Sequence, residues 1–181
     1  MGKSAFFTKL IESGQFSMED TGHAKLFGEY LLMIPPSVLL RLMADLEKSV
    51  GKVRMARIMS DLGEFQIDQA LERYKIRFNI EGVDKRKIID LEEHILNILG
   101  WGSFKVGSLS FEKGYASIII VNNVLSLKYR EMYGRKSKGP IDFYMAGLLK
   151  GMFSTLFEKK VKVREVRCIA KGDKYCEFAI S

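Results

Sequence analysis

Cys168 and Cys176 are the only cysteines in the chain, and they share the segment "EVRCIAKGDKYCEF" with Glu165, three residues before the first thiol. Two thiols and a carboxylate are donor types that hold zinc, with Zn–S bonds of about 2.3 Å in tetrahedral sites. A loop of Lys171, Gly172 and Asp173 would set Cys168 directly opposite Cys176, with Cβ atoms about 4.5–5.5 Å apart. Glu165 is an odd number of positions from Cys168, so a regular strand turns it to the other face. It reaches the thiols only if a bulge near Val166 and Arg167 re-aims it. A structural zinc site wants four donors, and His23, His94 and several carboxylates all compete for the remaining place. Reduced core thiols and a disulfide are the other readings of the pair.

These residues need elements to carry them. "KVKVREVRCIA" and "YCEFAIS" read as the two strands of a closing hairpin, preceded by a helix from about Ile141 to Phe157. That helix presents Tyr144, Met145, Leu148, Met152 and Phe153, while Gly147 and Gly151 form a small edge where a backbone or ligand comes close. Further upstream, "GSFKVGSLSFEKGYASIIIVNN" alternates around a turn at Glu112–Gly114, an antiparallel hairpin followed by a short helix. "DKRKIIDLEEHILNILG" reads as a helix capped by Asp84, with Ile88, Leu91, Ile95 and Leu99 as its buried stripe and His94 on the flank. A longer helical region starts near Val53, with Gly63 marking a break or a close helix crossing, and "SVLLRLMADLEKSVG" forms the helix before it. "KLFGEYLLMI" reads as one strand closed by Pro35 and Pro36. Helices first and strands later imply an α+β fold, an antiparallel sheet covered on one face by helices. The expected organisation is a single domain over residues 26–181 behind an N-terminal extension, residues 1–25, that packs on a second subunit in a homodimer.

The net charge of +7 invites anionic partners, with the densest cluster at Lys128, Arg130, Arg135, Lys136 and Lys138. Such runs usually solvate a loop, and the accompanying Tyr129 and Tyr133 form no RNA-binding motif. No apolar run approaches the roughly 18–20 residues that span a bilayer, and the N-terminus lacks a secretory h-region. A cytoplasmic protein is the expectation.

Residues 139–181, "GPIDFYMAGLLKGMFSTLFEKKVKVREVRCIAKGDKYCEFAIS", resemble the C-terminal half of the 4-vinyl reductase domain family. The shared features are a Pro followed closely by a ligand position, a Gly-containing helix, then E-x-x-C, A-x-G-D and a second cysteine. The resemblance implies a zinc site of Glu165, Cys168 and Cys176, with the family's first ligand cysteine falling on Asp142. This chain departs from the pattern there, and the other reading of Asp142 is a helix N-terminal carboxylate favoured by the dipole. The resemblance also implies a fold similar to a group of Golgi-transport and nitric-oxide-signalling proteins, with an apolar pocket for a small hydrophobic molecule. In this chain that pocket would draw on His94, Tyr144, Met145, Leu148 and Met152. Phenol-sensing relatives orient the ligand hydroxyl with a histidine and a tryptophan; His94 is in about the matching helix, but "YASIIIVNN" carries no Trp. The function so implied is a zinc-containing, non-catalytic binding or sensing domain that signals through a regulatory protein partner. A component of a tetrapyrrole vinyl-group reductase and a basic nucleic-acid-associated regulator are the rivals. No G-x-G-x-x-G follows a strand to seat a nucleotide donor, and no residue is assigned a catalytic role.

Overall fold

A computed structural model describes residues 3–78 and 84–181. Helix α1 (Lys3–Glu12) leads into a small antiparallel sheet of β1 (Phe16–Met18), β2 (Ala24–Leu26) and β3 (Glu29–Leu31). "KLFGEYLLMI" is therefore two strands rather than one. Phe27 and Gly28 take positive φ values of 52° and 81°, the backbone of a two-residue hairpin turn, and Gly28 makes the reversal cheap. Residue 25, the expected end of the extension, lies within β2. Leu10 of α1 is buried in the shared core, and Phe6 packs on His94, so this segment lies against its own chain.

The middle of the chain is helical: α2 (Pro36–Val50), α3 (Lys52–Phe78) and α4 (Lys85–Ile98). Pro36 opens α2 at a position where its missing N–H costs nothing. Asp84 caps α4 as expected, its side chain accepting from the Arg86 N–H at 2.9 Å. The buried face of α4 is Ile89, Glu92, Ile95 and Leu96. The true stripe is thus rotated from the expected one, and it contains an acid.

Strands β4 (Ser103–Ser110) and β5 (Tyr115–Val121), helices α5 (Val124–Tyr133) and α6 (Phe143–Phe157), and strands β6 (Val163–Arg167) and β7 (Cys176–Ile180) complete the fold. The main sheet has the order β4-β5-β7-β6, antiparallel throughout. Its inner face is set by period-2 alternation: Ala116, Ile118 and Ile120 on β5, and Cys176, Phe178 and Ile180 on β7, are all buried. A one-residue slip would turn all of them outward.

Helix α6 packs against β6 and β7 on one side and α3 on the other, so its residues are buried nearly all round. Gly63 and Gly147 explain how closely α3 and α6 cross. A Cβ at Gly63 would overlap the Tyr144 carbonyl, and one at Gly147 the Ser60 carbonyl. The glycines are a backbone-on-backbone contact between helices. The molecule is an α+β domain whose antiparallel sheet is covered by helices.

Candidate functional site

The bulge demanded by Glu165 is present. On β6, Glu165 pairs with Phe178 and Arg167 with the adjacent Glu177, leaving Val166 as the extra residue. That extra residue cancels the alternation, so Glu165 and Cys168 both point inward and are buried. The connection to β7 is longer than a three-residue loop. Cys168 leaves the ladder, a 3-10 turn spans Ile169–Lys171, and Gly172 has a φ of 107°. Asp173 holds this loop closed: its carboxylate accepts from the Cys168 N–H at 2.8 Å, and its own N–H donates to the Cys168 carbonyl at 3.2 Å. The thiols nevertheless converge. One donor atom each from Glu165, Cys168 and Cys176 lies within 4.8 Å of the other two. Donors around a tetrahedral zinc lie about 3.8 Å apart for Zn–S bonds of about 2.3 Å, so a small contraction would close the set.

The surroundings of the cluster are polar and organised. Glu165 Oε2 accepts from the N–H groups of Ile141 and Asp142, at 3.0 and 3.2 Å. Glu165 Oε1 is buried and has no hydrogen-bond partner. Ser126 Oγ lies 3.5 Å from Cys168 Sγ and 3.4 Å from Cys176 Sγ, and the Ile169 N–H points at Cys176 Sγ. Burial first, then the neighbouring Cys168, pushes Glu165 up to about 8. A hydrogen bond from Cys176 pulls Cys168 down, and Cys176, which keeps the shared proton, moves up. An orphaned buried oxygen beside two thiols is a set of donor types that suits a divalent cation.

Asp142 lies beside this cluster but does not turn its carboxylate into it. Asn123 Nδ2 donates to Oδ2 at 2.7 Å, and the Met145 N–H donates to Oδ1 at 3.1 Å, which makes Asp142 the N-cap of α6. Burial, then Glu165, raises it to about 7. Arg167 and Lys171 face outward, engaged with Glu177 and Asp173. Sequence reasoning misses Ser126 and Asn123; only the position of Asn123, just before an apolar helix, signals a cap.

The pocket residues divide. Met145, Leu148 and Met152 are buried between the layers, and Tyr144 is stacked on Trp101 at 5.3 Å. His94 does not join them. Its Nδ1 lies 2.6 Å from the Asp90 carbonyl, and its ring lies against Phe6 of α1. The interior polar groups are instead Tyr74 of α3 and Glu92 of α4, joined by a 3.0 Å hydrogen bond from the tyrosine hydroxyl. Both are buried, and both line a cavity of about 50 Å³ with Phe27, Ile67, Ile95 and Leu148. Burial lifts Glu92 to about 7 and moves Tyr74 further up. Glu92 is legible in principle, as an acid three residues from both Ile89 and Ile95 on one helix face.

A search of curated proteins finds no match to this sequence. The vinyl-4-reductase domain model matches residues 130–181, the segment that supplies Asp142, Glu165 and both cysteines. Among solved structures, the chain is similar to the phenol-responsive sensory domain of the transcription activator PoxR with phenol. That likeness has a TM-score of 0.80 at 16% identity and covers 97% of this chain and 89% of the other. A vinyl-4-reductase family protein from Methanocaldococcus jannaschii gives a TM-score of 0.54 at 17% identity over 83% of each chain. A trafficking protein particle complex subunit 3 from Naegleria fowleri, covalently bound to palmitic acid, gives 0.54 at 14% identity over 80% of this chain and 93% of that one. Residues 130–181 thus carry the vinyl-4-reductase domain signature, on a fold shared with a sensory domain, a vinyl-4-reductase family protein and a trafficking-complex subunit.

Proposed function

We propose that this chain is a non-catalytic sensory domain for a small, largely apolar molecule that carries one hydroxyl or similar polar handle. The observation that supports it best is the Tyr74–Glu92 pair, buried beside a cavity that is walled by Phe27, Ile67, Ile95 and Leu148 and also lined by Glu29, Gln66 and Arg73. Ligand sites combine such apolar walls with a few placed polar groups. The likeness to a phenol-bound sensory domain points the same way. A cavity of about 50 Å³ has room for water but not for an aromatic ring. A ligand therefore has to displace side chains, and Phe27, edge-on to Tyr74 at 5.5 Å, is the one on a hairpin turn. Displacing Phe27 would shift the β1–β3 sheet, so occupancy and conformation are linked. A regulatory partner would read that shift.

Zinc fits the Glu165, Cys168 and Cys176 donors, on the ground of the orphaned Oε1 and the two thiols. It would tie β6 to the start of β7 through three protein donors, leaving the fourth position of a tetrahedral site to water or another group. Asp142 keeps its capping role in this reading. The exposed apolar residues Leu32, Met33 and Ile34, together with Leu62, Phe65 and Ile76 of α3, support a homodimer that covers them. A cytoplasmic setting belongs to the same proposal; among the described residues no helix is long and apolar enough to cross a membrane.

Calorimetric titration with phenol and with toluene tests the ligand reading. Phenol should bind once per chain and more tightly than toluene, and Tyr74→Phe should weaken phenol by about tenfold, the size of one buried hydrogen bond. Equal binding of toluene, or an indifferent Tyr74→Phe, would overturn it. Metal content of Cys168→Ser and Cys176→Ser against wild type tests the zinc reading, which falls if freshly reduced wild type holds no more zinc than the variants.

A further inference from the structure

A second concave site shares no lining residue with the Tyr74–Glu92 cavity and borders the thiol corner, since its residue Ile141 donates its N–H to Glu165. It occupies about 430 Å³ between α2, the start of α3, the end of α5 and the Arg135–Ile141 loop. Its floor is apolar and buried: Leu40, Met43, Met55 and Ile141. Tyr129 and Tyr133, whose rings lie 4.7 Å apart, and Phe143 add aromatic walls. Four cationic residues, Lys52, Arg135, Lys136 and Lys138, line it with one carboxylate, Glu47; the end of the Lys136 side chain rests against Gly172.

None of these four cations makes an ion pair among the described residues, and neither do Arg54 and Arg130 on the neighbouring helices, whereas Arg41, Arg57 and Lys128 are paired. Their placement is held by the loop. The Ser137 N–H donates to the Ala170 carbonyl, Ser137 Oγ donates to the Gly139 carbonyl, and the Lys52 ammonium reaches across to Gly139. Unpaired positive charge around an apolar concavity of ligand size is complementary to a molecule with an apolar body and a negative head. Solvated charge runs do not by themselves gather around a buried apolar floor.

We propose that this cleft binds a small amphiphilic anion, an acyl or aromatic body ending in a carboxylate or phosphate, with the body on Met43, Met55 and Phe143 and the head on Lys52, Arg135, Lys136 and Lys138. The site is independent of the interior cavity. Decanoate, decyl phosphate and decanol, titrated into the full chain, test it. The two anions should saturate one site, with decanol at least tenfold weaker, and whichever anion binds more tightly names the head group. Raising salt from low to high concentration should weaken the anions and not the alcohol. The triple variant Lys52→Gln/Lys136→Gln/Lys138→Gln should weaken the anions at least tenfold, and Ala44→Phe, at a half-buried position of α2 that also lines the cleft, should do the same by filling it. Phenol binding should survive both variants, since neither touches Tyr74 or Glu92. Equal binding of decanol, no saturable binding, or indifference to both variants would overturn the proposal. So would an oligonucleotide that binds the cleft more tightly than either anion and displaces it, since the face would then belong to nucleic acid.

Discussion

Glu165 and Glu92 are both buried acids lifted well above the usual carboxylate range, to about 8 and about 7. Their surroundings make them different chemical groups. Glu165 receives two backbone N–H bonds on one oxygen, leaves the other bare and faces two thiols. Glu92 has a tyrosine hydroxyl and a largely apolar cavity wall. The first arrangement gathers donor atoms in a closed space and, in the zinc reading proposed above, would be completed by a cation. The second favours a neutral carboxyl group that can exchange hydrogen bonds with a guest. Burial alone therefore does not define a site; the donors around the acid do.

Helix α6 supports both places, since Asp142 begins it beside Glu165 and Leu148 lines the Glu92 cavity. Breaking its seat on α3 should give the largest effect. Gly147→Ala would drive a methyl group into the Ser60 carbonyl and should cost about 3 kcal/mol or more, read by denaturant unfolding. A cost below about 1 kcal/mol would show that the helices can separate cheaply.

The next test concerns Glu92 alone. Its folded value of about 7 lies above the ordinary 4.5, so the folded chain holds this proton more tightly. The stability it contributes is fully present below about pH 4.5 and is lost as pH rises through about 7. The loss should be on the order of 3 kcal/mol, visible as a falling midpoint in urea; Glu92→Leu should remove that share and leave the part due to Asp142 and Glu165, which are also raised. The same slope in both proteins would show that another group causes it.

Asp142 sharpens the contrast from the other side. As a cap it tolerates Asn, so Asp142→Asn should retain zinc and lose about 1 kcal/mol or less, whereas Asp142→Ala should lose about 1–2 kcal/mol. Loss of zinc in Asp142→Asn to the same extent as in Cys168→Ser would make Asp142 a ligand.

The cysteine corner is largely legible because strand alternation and donor chemistry are local: spacing admits Glu165 to the thiols only through a bulge near Val166 and Arg167, and the bulge is there. The hairpin loop departs from its expected length because Asp173 closes it through the Cys168 backbone, a bond that spacing does not reveal. The interior is harder to read. Which residues of α4 face inward depends on how the helix is rolled against its neighbours, and a small rotation exchanges Ile88 and Leu91 for Ile89 and Glu92. His94 resembles a pocket residue for the same reason, although α1 covers it. The split of "KLFGEYLLMI" rests on Phe27, an aromatic in a left-handed turn, which strand propensity argues against.

The most direct measurement of the central claim is calorimetric titration of phenol into wild type, Glu92→Leu and Asp142→Asn at fixed zinc content. The expected result is one phenol per chain in wild type and Asp142→Asn, and binding weakened at least tenfold in Glu92→Leu. Unchanged phenol affinity in Glu92→Leu would contradict it.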